Sequence, residues 1–182
     1  MDGGPSLRRF FINTLFDSTF TLLGVIVGSA FVAEPALEVI LGTMITISLA
    51  LGISTGVSVY EAEILERERE VQELEKAMLT SLEDTQVMKS ARKVAIIVAS
   101  VNLLTPLLVC AVYIFPLAMA SLGIVGIKMA AWASIAISLG TLMFAGMYMG
   151  RKGKGNAILK GTRMAALGGI TFLIGYWIAL LF

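Results

Sequence analysis

The chain has 182 residues, 57% apolar and only 15% charged, with a mean hydropathy of +0.87 and a net charge of +1. Soluble domains carry about 25% charged residues, so this composition argues against a soluble domain and for an integral membrane protein, and the near-neutral charge points to no nucleic-acid partner. Histidine is absent and Cys110 is the lone cysteine, which excludes an intrachain disulfide and leaves carboxylates, carbonyls, hydroxyls, amides and methionine sulfur for any ion chemistry.

Met1–Phe10 is short and carries Arg8 and Arg9. Phe11–Ala33 then reads as a first transmembrane helix, apolar except for Asn13, Asp17 and hydroxyl residues. A signal peptide is the competing reading, because Gly28-Ser29-Ala30 resembles a cleavage site. The apolar run is too long for one, and Asp17 would interrupt its core. Glu34-Pro35 ends the helix, since a proline disfavours helix at the residue before it.

Val39–Tyr60 reads as the second span. Seven glutamates follow between Glu61 and Glu75 with no Gly or Pro to stop the helix, so span two is expected to leave the membrane as one continuous acidic helix. A bend is expected near Thr80–Ser81, then a return to span three, Val94–Phe115, with Pro106 inside it and Pro116 just after. Ile124–Met149 and Met164–Phe182 read as spans four and five. The expected fold is therefore all-α: a polytopic membrane protein with five transmembrane helices, residues 1–60 and 94–182, and a cytosolic helical hairpin, residues 61–93, inserted between spans two and three.

Lysine and arginine placement sets the orientation. Thirteen basic residues fall before span one, between spans two and three, or between spans four and five, against Lys128 alone on the other side. The N-terminus, the acidic helix and the Arg151–Arg163 loop are thus expected in the cytoplasm and the C-terminus outside. Gly24/Gly28, Gly52/Gly56 and Gly146/Gly150 have the spacing that lets membrane helices approach closely, within one chain or between two copies.

Asp17 lies about one turn into span one, and no Lys or Arg sits at matching depth in another span. An acid at bilayer depth costs about 3 kcal/mol unless it faces water or a partner, so it is a candidate cation or proton site; an idle acid near the wet interface is the alternative. Asn102 and Thr105 stand just before Pro106, which removes a donor and frees the Asn102 carbonyl. Oxygen ligands gathered at a helix break are a transporter device, and a kink with interhelical hydrogen bonds is the plainer reading. Ser54, Thr55 and Ser58 add hydroxyls near the cytoplasmic end of span two.

In the acidic helix, Glu63, Glu66, Glu70 and Glu73 fall within an arc of about 80° at 100° per residue. Ile64, Val71, Leu74 and Met78 form a neighbouring apolar arc, with Arg69 and Lys76 elsewhere. Four like charges beside a packing stripe suit a divalent cation, and Glu83, Asp84 and Met88 could close such a site from the returning helix. The alternative is a solvated face on a hairpin or dimeric coiled coil, with Glu63/Arg67 and Arg69/Glu73 pairs.

The layout resembles the vacuolar iron transporter family and its prokaryotic relatives, which have five spans and an acidic helical domain between spans two and three. Asp17-Ser18 sits where that family has Asp-Gly. Gly52-Ile53-Ser54-Thr55-Gly56 is similar to its Gly-Ala-Ile-Ser-Met-Gly, with Thr55 in place of the methionine, and Thr105-Pro106-Leu107-Leu108 to its Ile-Pro-Leu-Leu. Gly150 through Gly175 is the strongest match, and no carboxylate in Val39–Tyr60 corresponds to the family's span-two acid. The resemblance implies a homodimer in a prokaryotic cell membrane, exporting Fe²⁺, Mn²⁺ or a similar ion from the cytosol against protons. The ion would be substrate rather than tightly bound cofactor, and its path would pass Asp17 at the dimer interface. A non-transporting scaffold or metal sensor that dimerises through its cytosolic helices is the second reading. A membrane enzyme is the weakest, for want of histidine and of an activated nucleophile.

Overall fold

The computed structural model describes residues 4–32, 35–79, 86–152 and 156–181. Among them the chain forms five α-helices in the order α1 (Gly4–Ala30), α2 (Leu37–Met78), α3 (Gln86–Ser121), α4 (Ile127–Lys152) and α5 (Ala157–Ala179). All five are long and apolar enough to cross a membrane. At 42 residues, α2 is roughly 63 Å long, about twice the hydrocarbon thickness. It ends at Leu79, which takes a left-handed conformation (φ 51°) and turns its N–H onto the Glu75 carbonyl.

Helix ends and hydropathy ends do not coincide. Pro116, expected just beyond span three, lies inside α3. A proline removes one backbone hydrogen bond, and neighbouring helices in a membrane bundle can hold the helix through it. Lys160 and Arg163 belong to the first turns of α5 rather than to a loop, and α4 continues through Lys152. Charge marks where a helix leaves the apolar layer, not where its backbone hydrogen bonding stops. The bend expected near Thr80–Ser81 lies outside the described residues. Between α3 and α4, Gly123 supplies the positive φ (74°) that the turn requires, with its N–H bonded to the Ala120 carbonyl at 3.0 Å.

Helix α1 packs against all four other helices, α2 against α3 most extensively, and α4 against α5. The buried face of α2 runs Ile40, Met44, Ser48, Gly52, Gly56, Val59, Glu63, Arg67, Val71. It is a four-residue repeat with one three-residue step, carried without interruption from the apolar part into the charged arm. The expected apolar arc of the arm is therefore displaced: Val71 is buried, Ile64 only partly, and Leu74 and Met78 are exposed. Each four-residue step advances the face by about 40°, so an arc read from hydrophobicity alone drifts off the covered side.

Two of the three glycine pairs lie within the chain. A Cβ on Gly52 would stand 2.5 Å from the Leu103 carbonyl oxygen, and one on Gly150 would stand 2.5 Å from Cα of Ala157. Gly24 and Gly28 meet nothing within 4 Å. We expect Gly52→Ala to lower stability by about 1–3 kcal/mol through overpacking, despite alanine's better helix propensity. Gly42→Ala, where a Cβ also meets nothing within 4 Å, should leave stability unchanged or raise it by up to about 1 kcal/mol. Thermal unfolding in detergent separates the two; equal midpoints would show that α2 and α3 are not in close contact.

The apolar core fills the half of the bundle away from the charged arm, around Leu22, Ile26, Met44, Tyr113, Leu117 and Ile135. At that end Phe31, Trp132, Phe172 and Tyr176 lock α1, α4 and α5 with ring centroids 5.3–6.4 Å apart. The other half carries buried Thr14, Asn102, Glu63 and Arg67.

Candidate functional site

Four polar arrangements separate the residues that the sequence grouped. The first is a buried node joining three helices. Asn102 on α3 is fully buried. Its side-chain oxygen accepts from Thr14 Oγ1 on α1 at 2.7 Å, and its amide nitrogen donates to the Val98 carbonyl at 2.8 Å. Thr55 Oγ1 on α2 donates to the Leu51 carbonyl at 2.7 Å and lies 3.3 Å from the Asn102 carbonyl, the one that Pro106 deprives of its helical donor. Thr105 is buried as well, but its hydroxyl bonds back to the Val101 carbonyl. Asn102 and Thr55 are thus brought together with Thr14, and their oxygens are occupied by one another. Ser54 and Ser58 are exposed on α2 and do not join the node.

The second arrangement is a stripe along α1. Arg9, Asn13, Asp17 and Gly28 are exposed, while Thr21 and Gly24 are half-covered. These six positions share an arc of about 120°. Asp17 accepts a hydrogen bond from Asn13 Nδ2 at 3.3 Å. It makes no ion pair among the described residues. Thr14 lies on the covered side and Asp17 on the uncovered side, so the node and the stripe are distinct. Helix α1 packs against four neighbours and leaves a polar, small-residue face uncovered, the reverse of what a lipid-facing helix surface requires.

The third arrangement is the acidic arm. The expected single arc of four glutamates is divided. Glu63 and Arg67 are buried, 1% and 5% exposed. Arg67 Nε and Nη2 both donate to Glu63 Oε1, at 2.9 and 2.8 Å, while Glu63 Oε2 has no hydrogen-bond partner among the described residues. Glu63 falls on the i,i+4 stripe that packs into the bundle, so it cannot share a solvent-facing cation site with the others. Glu66, Glu70 and Glu73 stay exposed along a groove of about 470 Å³ that Arg69 also lines. Arg69 was expected on another side of the arm; a long side chain one residue before Glu70 reaches the same groove. Arg67 Nη1 lies 3.6 Å from Glu70 Oε2. No three His, Cys, Asp or Glu residues converge on a metal-sized site among the described residues. Glu83 and Asp84 lie outside those residues, as does the side chain of Met88.

The fourth is a cavity of about 870 Å³ where α1, α2 and α4 meet at the charged end, with Arg8, Arg9, Asn13, Glu66 and Tyr148 among its walls. Arg9 Nη2 approaches Glu66 Oε2 at 3.4 Å, so the stripe of α1 and the acidic groove of α2 abut here. Sequence reasoning passed over Thr14 and read Arg9 only as a charge that sets orientation. The signal for both was their spacing from Asp17, three residues and two turns back on one helix.

No protein-family model matches this chain. It is similar to an uncharacterized protein of Methanocaldococcus jannaschii, 26% identical over 166 residues that cover 90% of this chain and 83% of that protein.

Proposed function

We propose that this chain is a divalent-cation transporter of the Fe²⁺ or Mn²⁺ type, acting as a homodimer in a prokaryotic cell membrane and resembling the vacuolar iron transporter family. One observation carries the reading: Asp17 stands in a spanning helix, on its uncovered polar face, with Asn13 as its hydrogen-bond partner and no ion pair among the described residues. An acid so placed needs a charge partner and a cover. A second copy placed by a two-fold axis supplies the cover along Gly24 and Gly28, which have room for it. It also brings a second carboxylate, and the ion that neutralises the pair is the cargo. The basic bias puts the N-terminus and the acidic arm in the cytoplasm, so Glu66, Glu70 and Glu73 concentrate cations on the side from which they are exported. Proton counterflow is the coupling that the family resemblance implies.

The test is flux. Proteoliposomes holding the protein should accumulate Mn²⁺ or Fe²⁺ faster than protein-free liposomes, and equal rates would sink the proposal. The two-fold contact has its own check. Cys110 is buried, so Gly28→Cys introduces a single reactive thiol. Oxidation should convert most of the protein to a disulfide-linked dimer, whereas a cysteine at exposed Phe144 on α4 should not.

A membrane scaffold or metal sensor is the second reading. It is favoured by the division of the acidic arm, where the buried Glu63–Arg67 pair lies on the covered face of α2 and leaves an exposed acidic edge. It predicts cation binding by the detergent-solubilised protein without flux.

A further inference from the structure

The cavity at the charged end of α1 has walls of two kinds. Arg8 and Arg9 supply two guanidinium groups, with Ser6 and Asn13 as neutral donors, while Phe16 and Met149 supply apolar surface. Glu66 is the opposing charge. Arg8 makes no ion pair among the described residues. Arg9 leans over the Phe10 ring, 4.8 Å from its centroid, and shares an exposed, 3.4 Å pair with Glu66. Pairs of that exposure are worth little and exchange readily. Among the described residues, the balance of two cations against one carboxylate disfavours a metal ion and favours an anion. Guanidinium forks match phosphate oxygens.

The position decides which phosphate. Arg8 and Arg9 immediately precede the apolar run Phe10-Phe11-Ile12, which places them at headgroup level in a spanning helix. The apolar wall suits the first carbons of acyl chains and not a hydrated inorganic ion. We infer that this cavity binds the phosphate of an anionic phospholipid, held by Arg8 and Arg9, with Glu66 as the charge that weakens it. Binding draws Arg9 away from Glu66. The inference stands whether or not the protein transports cations.

The experiment is a lipid titration of the full chain in neutral detergent, read as the shift in thermal unfolding midpoint. Dioleoylphosphatidylglycerol should bind more tightly than dioleoylphosphatidylcholine. Arg8→Gln should weaken phosphatidylglycerol binding about fivefold, and Arg8→Gln with Arg9→Gln about twenty-five-fold, on the scale of one basic residue at an anionic surface. Glu66→Gln should act in the opposite direction and tighten it. Lys128→Gln, a cation at the other end of the bundle, should change nothing. Equal binding of the two lipids, full retention in the double variant, an equal loss in Lys128→Gln, or the same shift from inorganic phosphate would each overturn the inference. Should the double variant not fold, Arg8→Gln and Glu66→Gln decide the matter by their opposite signs.

Discussion

Arg67→Met should destabilise the protein by about 3–5 kcal/mol, the cost of leaving a buried carboxylate without its counter-ion. Glu63 and Arg67 are nearly inaccessible, and both guanidinium donors converge on one carboxylate oxygen. The other oxygen, Oε2, is already without a hydrogen-bond partner among the described residues, so there is no reserve to absorb the loss. The reverse change is expected to cost less. In Glu63→Gln the guanidinium keeps Glu70, 3.6 Å from Nη1, and the amide oxygen still accepts. Replacing both residues, as Glu63→Leu with Arg67→Met, should return stability to near or above that of the starting protein, because well-packed apolar side chains match or outdo a buried ion pair. Chemical unfolding in detergent measures all three. A loss below about 1 kcal/mol in Arg67→Met would mean that water reaches the pair and that the arm of α2 does not pack as described.

This pair also marks the boundary between what could be read in the sequence and what could not. Five apolar runs with basic residues on alternate connections are strong one-dimensional signals, and the five helices follow from them. The continuity of α2 through the membrane edge was legible because nothing between Gly56 and Met78 breaks a helix. Which side of that helix is covered was not. Coverage is set by Gly52 and Gly56 meeting α3 at Leu103 and Ala99, and the contact line then continues to Glu63 and Arg67 in steps of four. A helical projection groups Glu63 with Glu66, Glu70 and Glu73 by angle alone, and has no term for the neighbour that divides them. The same holds for Gly24/Gly28 against Gly52/Gly56. The spacing is identical, yet one pair meets nothing within 4 Å and the other meets backbone.

Asn102 carries a second lesson about site residues. Proline placement predicted a freed carbonyl, and the structure supplies Thr55 at 3.3 Å from it and Thr14 on the adjacent side chain. A buried polar group that finds partners is the ordinary outcome. The node therefore reads as a tie among α1, α2 and α3, and it leaves the proposed ion path to the neighbouring, uncovered face of α1, where Asp17 lacks such company. Groups that satisfy one another are poor candidates for a ligand shell; the informative residue is the one left over.

Asp17→Asn is expected to bring divalent-cation flux down to the level of protein-free liposomes, a loss of about two orders of magnitude or more on the scale of one charge–charge contact in a protein environment. The substitution keeps the shape and the hydrogen-bonding capacity toward Asn13, which donates to Oδ2 at 3.3 Å, so the change isolates the charge. Its effect on stability should have the opposite sign. An uncompensated acid at bilayer depth is a cost to the folded protein, and the amide removes that cost, so the unfolding midpoint of Asp17→Asn should equal or exceed that of the starting protein. Asp17→Glu keeps the charge and moves it by one methylene, and should retain measurable flux. The pair of readouts separates the roles. Lost flux with unchanged or improved stability is the signature of a cation ligand. Lost flux together with lost stability would make Asp17 a structural group that shapes α1, and undiminished flux would remove it from the path altogether.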